Sequence, residues 1–292
     1  MRAKDGLQGR AAAESAAAVV TVRVFRFHPE TSAPPRYQDY RVPAAPGMTV
    51  LDALVHIKER LDATLAYRSS CRMGICGSCG MFINGFPRLA CQTQLHTLGS
   101  LVQVEPLPNY PVVRDVVPDL EPMVRHHTSV RPFLIRKDGE REPPTAEYLQ
   151  TPEELEGYLQ FAYCIKCGLC LAACPTVATD PDFTGPQALA QAYRYCADSR
   201  DDGLAARRAA LDSLHGVWRC HLAGACTEAC PKGVDPALAI QLLKRLAVAT
   251  ALGLGRRRLA PQAPPPVAVQ RRPDIPAPPP PTVEVRHGGG SG

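Results

Sequence analysis

Long apolar runs are missing from the 292-residue sequence. No stretch of about eighteen or more apolar residues occurs, and that is the length a membrane-spanning helix needs. Residues 1–20 mix alanine with charged side chains and contain no apolar segment of the kind found in secretory signals. We therefore expect any membrane contact to be made through a partner, and we expect a reducing compartment, where disulfides are rare.

A strong charge bias is also missing. The sequence has 33 Lys and Arg against 28 Asp and Glu, a net charge of +5, and only 6% aromatic residues. Nucleic-acid-binding proteins carry a basic face, which single-strand binders combine with aromatic side chains, so no nucleic-acid partner is expected. The arginines at 256–258 and 271–272 are better explained as a solvated basic tail than as a lipid-binding patch.

Cysteine is the residue with an unusual arrangement. All of the 12 cysteines except Cys196 fall into three tight groups with glycine and proline between them. Disulfides do not suit the expected compartment, and structural zinc sites usually combine two separate pairs of ligands. Three cysteines at successive two-residue gaps are more typical of an iron–sulfur cluster.

The first group has the spacing of a plant-type [2Fe–2S] site. Cys71, Cys76, Cys79 and Cys91 follow the pattern C-x4-C-x2-C-x11-C. Four thiolates saturate two tetrahedral irons. The glycines at 74, 77 and 80 provide a loop backbone that can approach the sulfur atoms closely.

The second and third groups follow the pattern of a bacterial two-cluster ferredoxin. In the run C-x2-C-x2-C-x3-C-P the fourth cysteine binds the other cluster. This rule predicts a complete [4Fe–4S] site with the ligands Cys164, Cys167, Cys170 and Cys230. The remaining site has only three cysteines, namely Cys174, Cys220 and Cys226.

Ala223 stands where the second run would have its missing cysteine. A cube in which one iron lacks a protein ligand tends to lose that iron, so [3Fe–4S] is the expected occupant. The alternative is a labile fourth iron held by water or His221, which ligand softness disfavours. Cys196 lies on a predicted helix and is expected to be a small buried hydrophobic residue.

The hydrophobic pattern predicts an α+β fold. The first half is predicted to contain a helix capped by Thr49, a tight turn at Asn84-Gly85, and strands at 19–27, 37–42, 81–83 and 101–104. The second half is predicted to be all-α. One helix is predicted to begin at Thr151, and three more are predicted at 186–199, 204–214 and 235–252.

These elements predict a chain of two domains with three further segments. The domains are a [2Fe–2S] ferredoxin-like domain (19–107) and a helical domain with the other two clusters (151–259). The further segments are an N-terminal extension (1–18), a connector without a hydrophobic period (108–150) and a proline-rich tail (260–292). The tail is too rich in proline to pack a core, and we expect it to lie extended against a partner or another copy.

Over residues 19–250 the sequence resembles the iron–sulfur subunits of succinate dehydrogenases and fumarate reductases, and it is closer to the fumarate reductase branch. Four segments carry the resemblance: SCRMGICGSCGM (70–81), PVVRDVVPD (111–119), CIKCGLCLAACP (164–175) and CHLAGACTEACPKGVDP (220–236). The resemblance implies a β-grasp ferredoxin domain followed by an α-helical ferredoxin domain.

The same resemblance implies partners and a path for electrons. The path runs through the covalent FAD of a flavoprotein subunit, [2Fe–2S], [4Fe–4S], [3Fe–4S] and a membrane quinone, so no catalytic residue is expected on this chain. The expected location is peripheral, on the cytoplasmic face of a bacterial cell membrane, held by an integral-membrane anchor. Two alternatives stay open: a subunit of a thiol-linked fumarate reductase or heterodisulfide reductase, and a soluble multicluster ferredoxin.

The quinone end departs from the ubiquinone-type members of the family. These carry a tryptophan pair shortly after the proline that matches Pro175, whereas this chain reads TVAT at 176–179. A menaquinone and an anchor with haem b fit better. Candidates near the quinone are Pro175, Trp218, His221 and Lys244, the last at a position where fumarate-reductase-like members have a lysine. For Trp218, packing against a cluster is the preferred interpretation.

Overall fold

The structure is a computed structural model that describes residues 18–137 and 148–254. Nearly all of the predicted extension 1–18 and all of the tail 260–292 lie outside the described residues, as do both arginine groups. The predictions made for these segments therefore stay predictions. Within the described ranges, no helix combines the length and apolar character needed to cross a bilayer.

The first half is built on a five-stranded mixed sheet. Its strands are β1 (Ala18–Arg26), β2 (Arg36–Ala44), β3 (Gly80–Ile83), β4 (Phe86–Leu89) and β5 (Leu101–Glu105), in the order β2-β1-β5-β3-β4. β1 pairs with β5 in parallel and with β2 antiparallel. Val20, Val22 and Val24 alternate into the core, as the period of two requires. This arrangement confirms the predicted strands and fold class.

Helix α1 (Val50–His56) lies against this sheet and begins at the predicted cap. The Thr49 side chain accepts a hydrogen bond from the Asp52 backbone N–H, and the Asp52 carboxylate accepts one from Thr49 N–H. A single π-helical turn (Ile57–Leu61) follows. In this wider turn Ile57 is buried and Leu61 is exposed.

The predicted tight turn joins β3 to β4. Asn84 and Gly85 both have left-handed backbone conformations, with φ of 47° and 77°. Two such residues form the two-residue turn whose twist matches that of the flanking strands. The Asn84 side-chain oxygen also accepts a hydrogen bond from Gln103 N–H at 2.7 Å, which ties the turn to β5.

The segment predicted as a connector without a hydrophobic period has regular structure. It contains a hairpin of β6 (Val112–Arg114) and β7 (Val117–Pro118), followed by helix α2 (Glu121–Ser129). Its assignment as a connector stays a prediction, but its prolines do not break the chain. Pro122 instead occupies the first turn of α2, where no backbone N–H is required.

The second half is helical, as predicted. The helices are α3 (Pro152–Glu156), α4 (Leu159–Ala162), α5 (Leu169–Ala172), α6 (Pro175–Thr179), α7 (Gly185–Ala197), α8 (Leu204–Leu211), α9 (Ala225–Glu228) and α10 (Pro236–Ala251). Thr151 and Asp235 cap their helices as expected. The helix predicted from Thr151 is divided into α3 and α4.

The two halves share a buried core. The core of the sheet and α1 also contains the whole of α5, together with Cys226 and Ala237. Polar contacts from the segment after β5 join the halves as well. The Tyr110 hydroxyl donates to the Gly168 carbonyl at 3.1 Å, and the Asn109 amide donates to the carbonyls of Leu171, Ala172 and Cys174 at 2.9–3.2 Å.

Arg207 of α8 is fully buried and joins three parts of the helical half. Its guanidinium forms an ion pair with buried Asp201 at 2.7 Å. It also donates to backbone carbonyls of the segment after α2, those of Val130, Arg131 and Phe133. A buried guanidinium with all these partners fixes that segment against α8.

Replacing Arg207 by leucine is expected to cost about 3–5 kcal/mol of folding free energy, because the buried ion pair with Asp201 and the hydrogen bonds to three backbone carbonyls would be lost together. The measurement is the thermal midpoint by circular dichroism. The neighbouring substitution Arg208→Leu serves as the control, since its ion pair with Asp212 is exposed, spans 3.7 Å and is worth at most about 1 kcal/mol. Equal losses in the two variants would contradict the role given to Arg207.

Candidate iron–sulfur sites

The first cysteine group lies in a loop beside the β3–β4 hairpin. Cys79 immediately precedes β3, and Cys91 lies in the helical turn that follows β4. Strand pairing brings these two residues together: Ala90 N–H donates to the Cys79 carbonyl at 2.9 Å, and Cys91 N–H lies 3.5 Å from the Cys79 sulfur. Cys71 and Cys76 lie in the loop itself, where Cys71 N–H lies 3.5 Å from the Cys76 sulfur.

Backbone N–H groups of this loop point at its sulfur atoms. The Cys71 sulfur accepts from the N–H groups of Met73, Ile75 and Cys76 at 3.3–3.5 Å. These contacts need a tightly curled backbone, and Gly74 and Gly77 provide it with φ near +70°. Donors around a sulfur favour its anionic form, which is the form that binds iron.

The thiols of this group differ in their surroundings. Hydrogen bonds from the backbone of Cys71 and from Ser78 lower the pKa of exposed Cys76 to about 6. Burial raises the pKa of Cys79 to about 12. A buried thiolate such as that of Cys79 therefore needs positive charge beside it.

The segment leading into this loop is held by two carboxylates, those of buried Asp115 and half-buried Asp62. Asp115, in the turn of the β6–β7 hairpin, accepts from the Arg26 side chain and from the N–H groups of Phe27 and Ala66 at 2.8–3.1 Å. Asp62 accepts from Arg26 and Tyr40, and these contacts together with Thr64 hold its pKa well below the ordinary value against the effect of burial. The chain therefore enters the cysteine loop from a fixed point.

The second and third cysteine runs contribute to two cavities. One, of about 380 Å³ including open solvent, is lined by Cys164, Cys167, Cys170 and Cys230. The other, of about 310 Å³ including open solvent, is lined by Cys174, Cys220 and Cys226, with Ala223 in its wall. Each run thus sends one cysteine to the cavity of the other, which is the exchange that the ferredoxin pattern predicts.

Short helices and left-handed residues shape these cavities. Gly168 precedes α5 and Gly224 precedes α9, and both have φ near +80°. Leu222 is left-handed as well, and its N–H lies 3.4 Å from the Cys220 sulfur. The two runs therefore form related loops, each curled around sulfur atoms.

Burial makes the free thiolates of these cavities unfavourable. It raises the pKa of Cys167 to about 12 and that of Cys226 to about 11, and it raises the pKa of buried Cys170 as well. In the described part of the chain, no three His, Cys, Asp or Glu side chains converge closely enough to hold a single metal ion. Buried cysteine sulfurs fit the cationic iron of an iron–sulfur cluster, which stabilises their thiolate form.

The first and second sites share a wall. A Cβ atom at Gly77 would lie 2.7 Å from the Cys167 Cβ and 2.8 Å from its Cα. A Cβ atom at Gly80 would lie 3.1 Å from the Leu169 side chain. The sequence accounts for these glycines only by the close approach of their loop to sulfur atoms, because contact between distant loops leaves no local signal in the sequence.

The candidates for the quinone end lie in different surroundings. Pro175 lines the cavity that contains Cys174, whereas Trp218, His221 and Lys244 are not part of its lining. The Lys244 ammonium donates to the Cys220 carbonyl at 3.1 Å. Trp218 is 48% exposed and donates to Asp212 at 2.8 Å, and its interpretation as packing against a cluster stays a prediction. His221 is exposed.

Cys196 lies apart from both cavities. It is half-buried on α7, packs against the helical core and forms a hydrogen bond with the Arg207 side chain. The prediction of a small buried hydrophobic residue is thus only partly correct, since the thiol has a charged partner.

Two domain families match the chain. Residues 21–125 match the 2Fe-2S iron-sulfur cluster binding domain, and residues 160–234 match the 4Fe-4S dicluster domain. The matches cover all three cysteine groups. They agree with the position of the sheet in the first half and of the paired cavities in the second.

Relatives and a solved structure are similar over most of the chain. The fumarate reductase iron-sulfur subunit of Mycobacterium tuberculosis is 51% identical, over 80% of this chain and 94% of that protein. The succinate dehydrogenase iron-sulfur subunit of Paracoccus denitrificans is 40% identical, over 80% of this chain and 90% of that protein. A chain of the Mycobacterium smegmatis Sdh1 complex in the apo form superposes with a TM-score of 0.71 at 28% identity, over 81% of this chain and 98% of that one.

The predicted resemblance is thereby confirmed by sequence and by structure. The cysteine pattern, the α+β fold and these relatives agree, and the expected role is electron transfer in an oxidoreductase complex. The chain belongs to the family of iron–sulfur subunits of succinate dehydrogenases and fumarate reductases.

Proposed function

We propose that this chain conducts electrons between the FAD of a flavoprotein subunit and a membrane quinone through three clusters. The ligands are Cys71, Cys76, Cys79 and Cys91 for [2Fe–2S]; Cys164, Cys167, Cys170 and Cys230 for [4Fe–4S]; and Cys174, Cys220 and Cys226 for [3Fe–4S]. The clusters supply one-electron chemistry when bound. The chain's own residues hold them in a row and control their surroundings.

The observation that carries the proposal is the continuity of the three cysteine groups. Gly77 of the first loop touches Cys167 of the second group. Cys170 and Cys174 lie on either side of the end of α5, each lining a different cavity. The row of cysteine groups therefore has one end at the exposed loop residues Met73 and Ile75. Its other end lies at the cavity lined by Pro175.

The third site has the features expected for a cluster in which one corner has no protein ligand. Its cavity presents three thiols, and the Ala223 methyl group occupies the wall where a fourth ligand is expected. Hydroxyl and imidazole groups bind such an iron less well than thiolate does, so the alternative of a labile fourth iron is disfavoured. We assign [3Fe–4S] to this cavity.

The quinone end is proposed at the third site. Trp218 and Leu222 are exposed apolar side chains next to its ligand Cys220, and the Lys244 ammonium is held there by the Cys220 carbonyl. An exposed apolar surface around the last carrier suits an integral-membrane anchor that binds quinone. Residues 176–179 lack tryptophan, which supports menaquinone and fits haem b in the anchor. The family resemblance is the basis for proposing covalent FAD on the flavoprotein.

The location follows from these partners. We propose a peripheral position on the cytoplasmic face of the bacterial cell membrane, held by the anchor subunit. The dicarboxylate chemistry takes place on the flavoprotein, and no residue of this chain is assigned a catalytic role.

The substitution Cys91→Ser tests the function as a conductor. It is expected to reduce succinate:quinone activity at least tenfold, because it damages the first carrier in the row. Succinate oxidation with an artificial acceptor that takes electrons directly from flavin should be largely retained. Cys196→Ser is the matched control, with both activities near wild type. Parallel loss of both activities in assembled Cys91→Ser complex would contradict the order of carriers.

The substitution Ala223→Cys tests the assignment of the third cluster. A fourth thiolate should convert [3Fe–4S] to [4Fe–4S], so the near-isotropic EPR signal of the oxidised complex should disappear and quinone reduction should slow. The control Ala223→Ser adds a side chain of similar size without a thiolate and should keep the signal. Absence of that signal from the oxidised wild-type complex would refute the assignment outright.

The substitution Gly77→Ala tests the shared wall between the first two sites. The added methyl group overlaps Cys167, and the alanine must adopt a left-handed backbone conformation. The overlap should lower the free energy of unfolding by about 1–3 kcal/mol, in addition to the loss from backbone strain. Gly85→Ala is the matched control, with φ of +77° and nothing within 4 Å of its Cβ position. Thermal midpoints compare the two variants. A Gly77 variant as stable as the Gly85 variant would argue against the contact.

A further inference from the structure

The side chain of Gln187 reaches the wall of the cavity assigned to [4Fe–4S]. It belongs to the first turn of α7, is only 2% exposed and lines that cavity together with the four cysteines. Its amide nitrogen Nε2 lies 4.0 Å from the Cys164 sulfur and 3.2 Å from Nδ1 of His127 on α2. One amide nitrogen thus faces a sulfur and a ring nitrogen at once.

The orientation of this amide follows from chemistry. A cluster-bound thiolate only accepts hydrogen bonds, so the Gln187 end that faces Cys164 must be the NH2 group. One of its hydrogens is then directed to Cys164 and the other to His127 Nδ1. Within the described part of the chain, the opposite end, Oε1, is buried without a hydrogen-bond partner. A buried carbonyl without a partner is unfavourable, so the contacts of Nε2 must compensate for it.

His127 fixes the amide in this position. To accept from Gln187, its Nδ1 must be unprotonated, which requires the neutral ring with its proton on Nε2. Burial and the nearby Lys166 lower the pKa of His127 and so favour the neutral ring. The amide is thereby held with its N–H group directed at the Cys164 sulfur.

We propose that Gln187, held by His127, raises the reduction potential of the [4Fe–4S] cluster through its amide group directed at the Cys164 sulfur. The inference rests on the assignment of Cys164 to that cluster. Reduction adds one negative charge to the cluster, and the positive end of a fixed, buried amide dipole stabilises that charge. Hydrogen bonds to cluster sulfurs are one of the means by which proteins set such potentials.

The test is an EPR-monitored redox titration of the assembled complex carrying Gln187→Leu. Loss of a hydrogen bond to a charged group changes an equilibrium constant by about tenfold at the low end of its range. For a one-electron couple a tenfold change corresponds to about 59 mV. The hydrogen bond exists in both redox states and only its extra strength in the reduced state moves the potential, so the potential should fall by up to about that amount. The [2Fe–2S] potential serves as the internal reference and should not move.

The matched control is Gln191→Leu, one turn further along α7. Gln191 is also buried, but its amide donates to the Phe161 carbonyl at 2.9 Å instead of a cysteine. It should lower stability without moving the [4Fe–4S] potential. His127→Phe should lower the potential by less than Gln187→Leu, because it frees the amide without removing it. An unchanged potential in Gln187→Leu, or equal shifts in Gln187→Leu and Gln191→Leu, would overturn the proposal.

A measurement on the wild-type complex keeps the proposal testable if the leucine variant fails to assemble. With ¹⁵N in glutamine side chains, pulsed EPR of the reduced [4Fe–4S] cluster should detect a coupling to the Gln187 amide. A reduced cluster without this coupling would refute the role of Gln187 but leave the proposed function standing. A wild-type complex with no [4Fe–4S] signal at all would instead refute the proposed function.

Discussion

The close approach of two cysteine loops is the constraint on which the architecture depends. Gly77 of the first loop lies against Cys167 of the second so tightly that no side chain fits between them. Several other contacts hold the two loops in this position. The β3–β4 hairpin and the carboxylates of Asp62 and Asp115 hold the first loop. Tyr110 and Asn109 hold the second loop through hydrogen bonds to its backbone carbonyls. Electron transfer is efficient only between carriers that lie close together. The shared core therefore matters for function, because it keeps the first two sites close to each other.

Burial of the thiols is the second constraint. It works against the close packing of the loops, because a buried thiolate is unfavourable. Packing the cysteine groups into a shared core raises the pKa of Cys79, Cys167 and Cys226, and a thiolate in such a place is unfavourable by itself. Cationic iron removes this penalty and couples cluster binding to folding. Directed N–H groups add to the effect at the Cys71 sulfur and, through Gln187, at Cys164. The same donors that favour the thiolates also influence how readily the clusters accept electrons.

Local chemistry explains which parts of the fold could be predicted. The caps at Thr49 and Thr151 and the turn at Asn84-Gly85 depend on neighbouring residues, and the sequence alone predicted them correctly. The exchange of cysteines between the two helical cavities also follows from spacing. Helix α2 was missed because Pro122 resembles a helix breaker when its position in the first turn is unknown. The contact of Gly77 with Cys167 and that of Gln187 with Cys164 depend on distant segments, so no local pattern indicates them.

The central claim is that the first two clusters are immediate neighbours in one conducting row. Microwave power saturation of the [2Fe–2S] EPR signal in the wild-type complex tests it directly, because a nearby paramagnet speeds spin relaxation. The account predicts that the signal becomes harder to saturate once the [4Fe–4S] cluster is also reduced. A [2Fe–2S] signal whose saturation is the same before and after [4Fe–4S] reduction would contradict it.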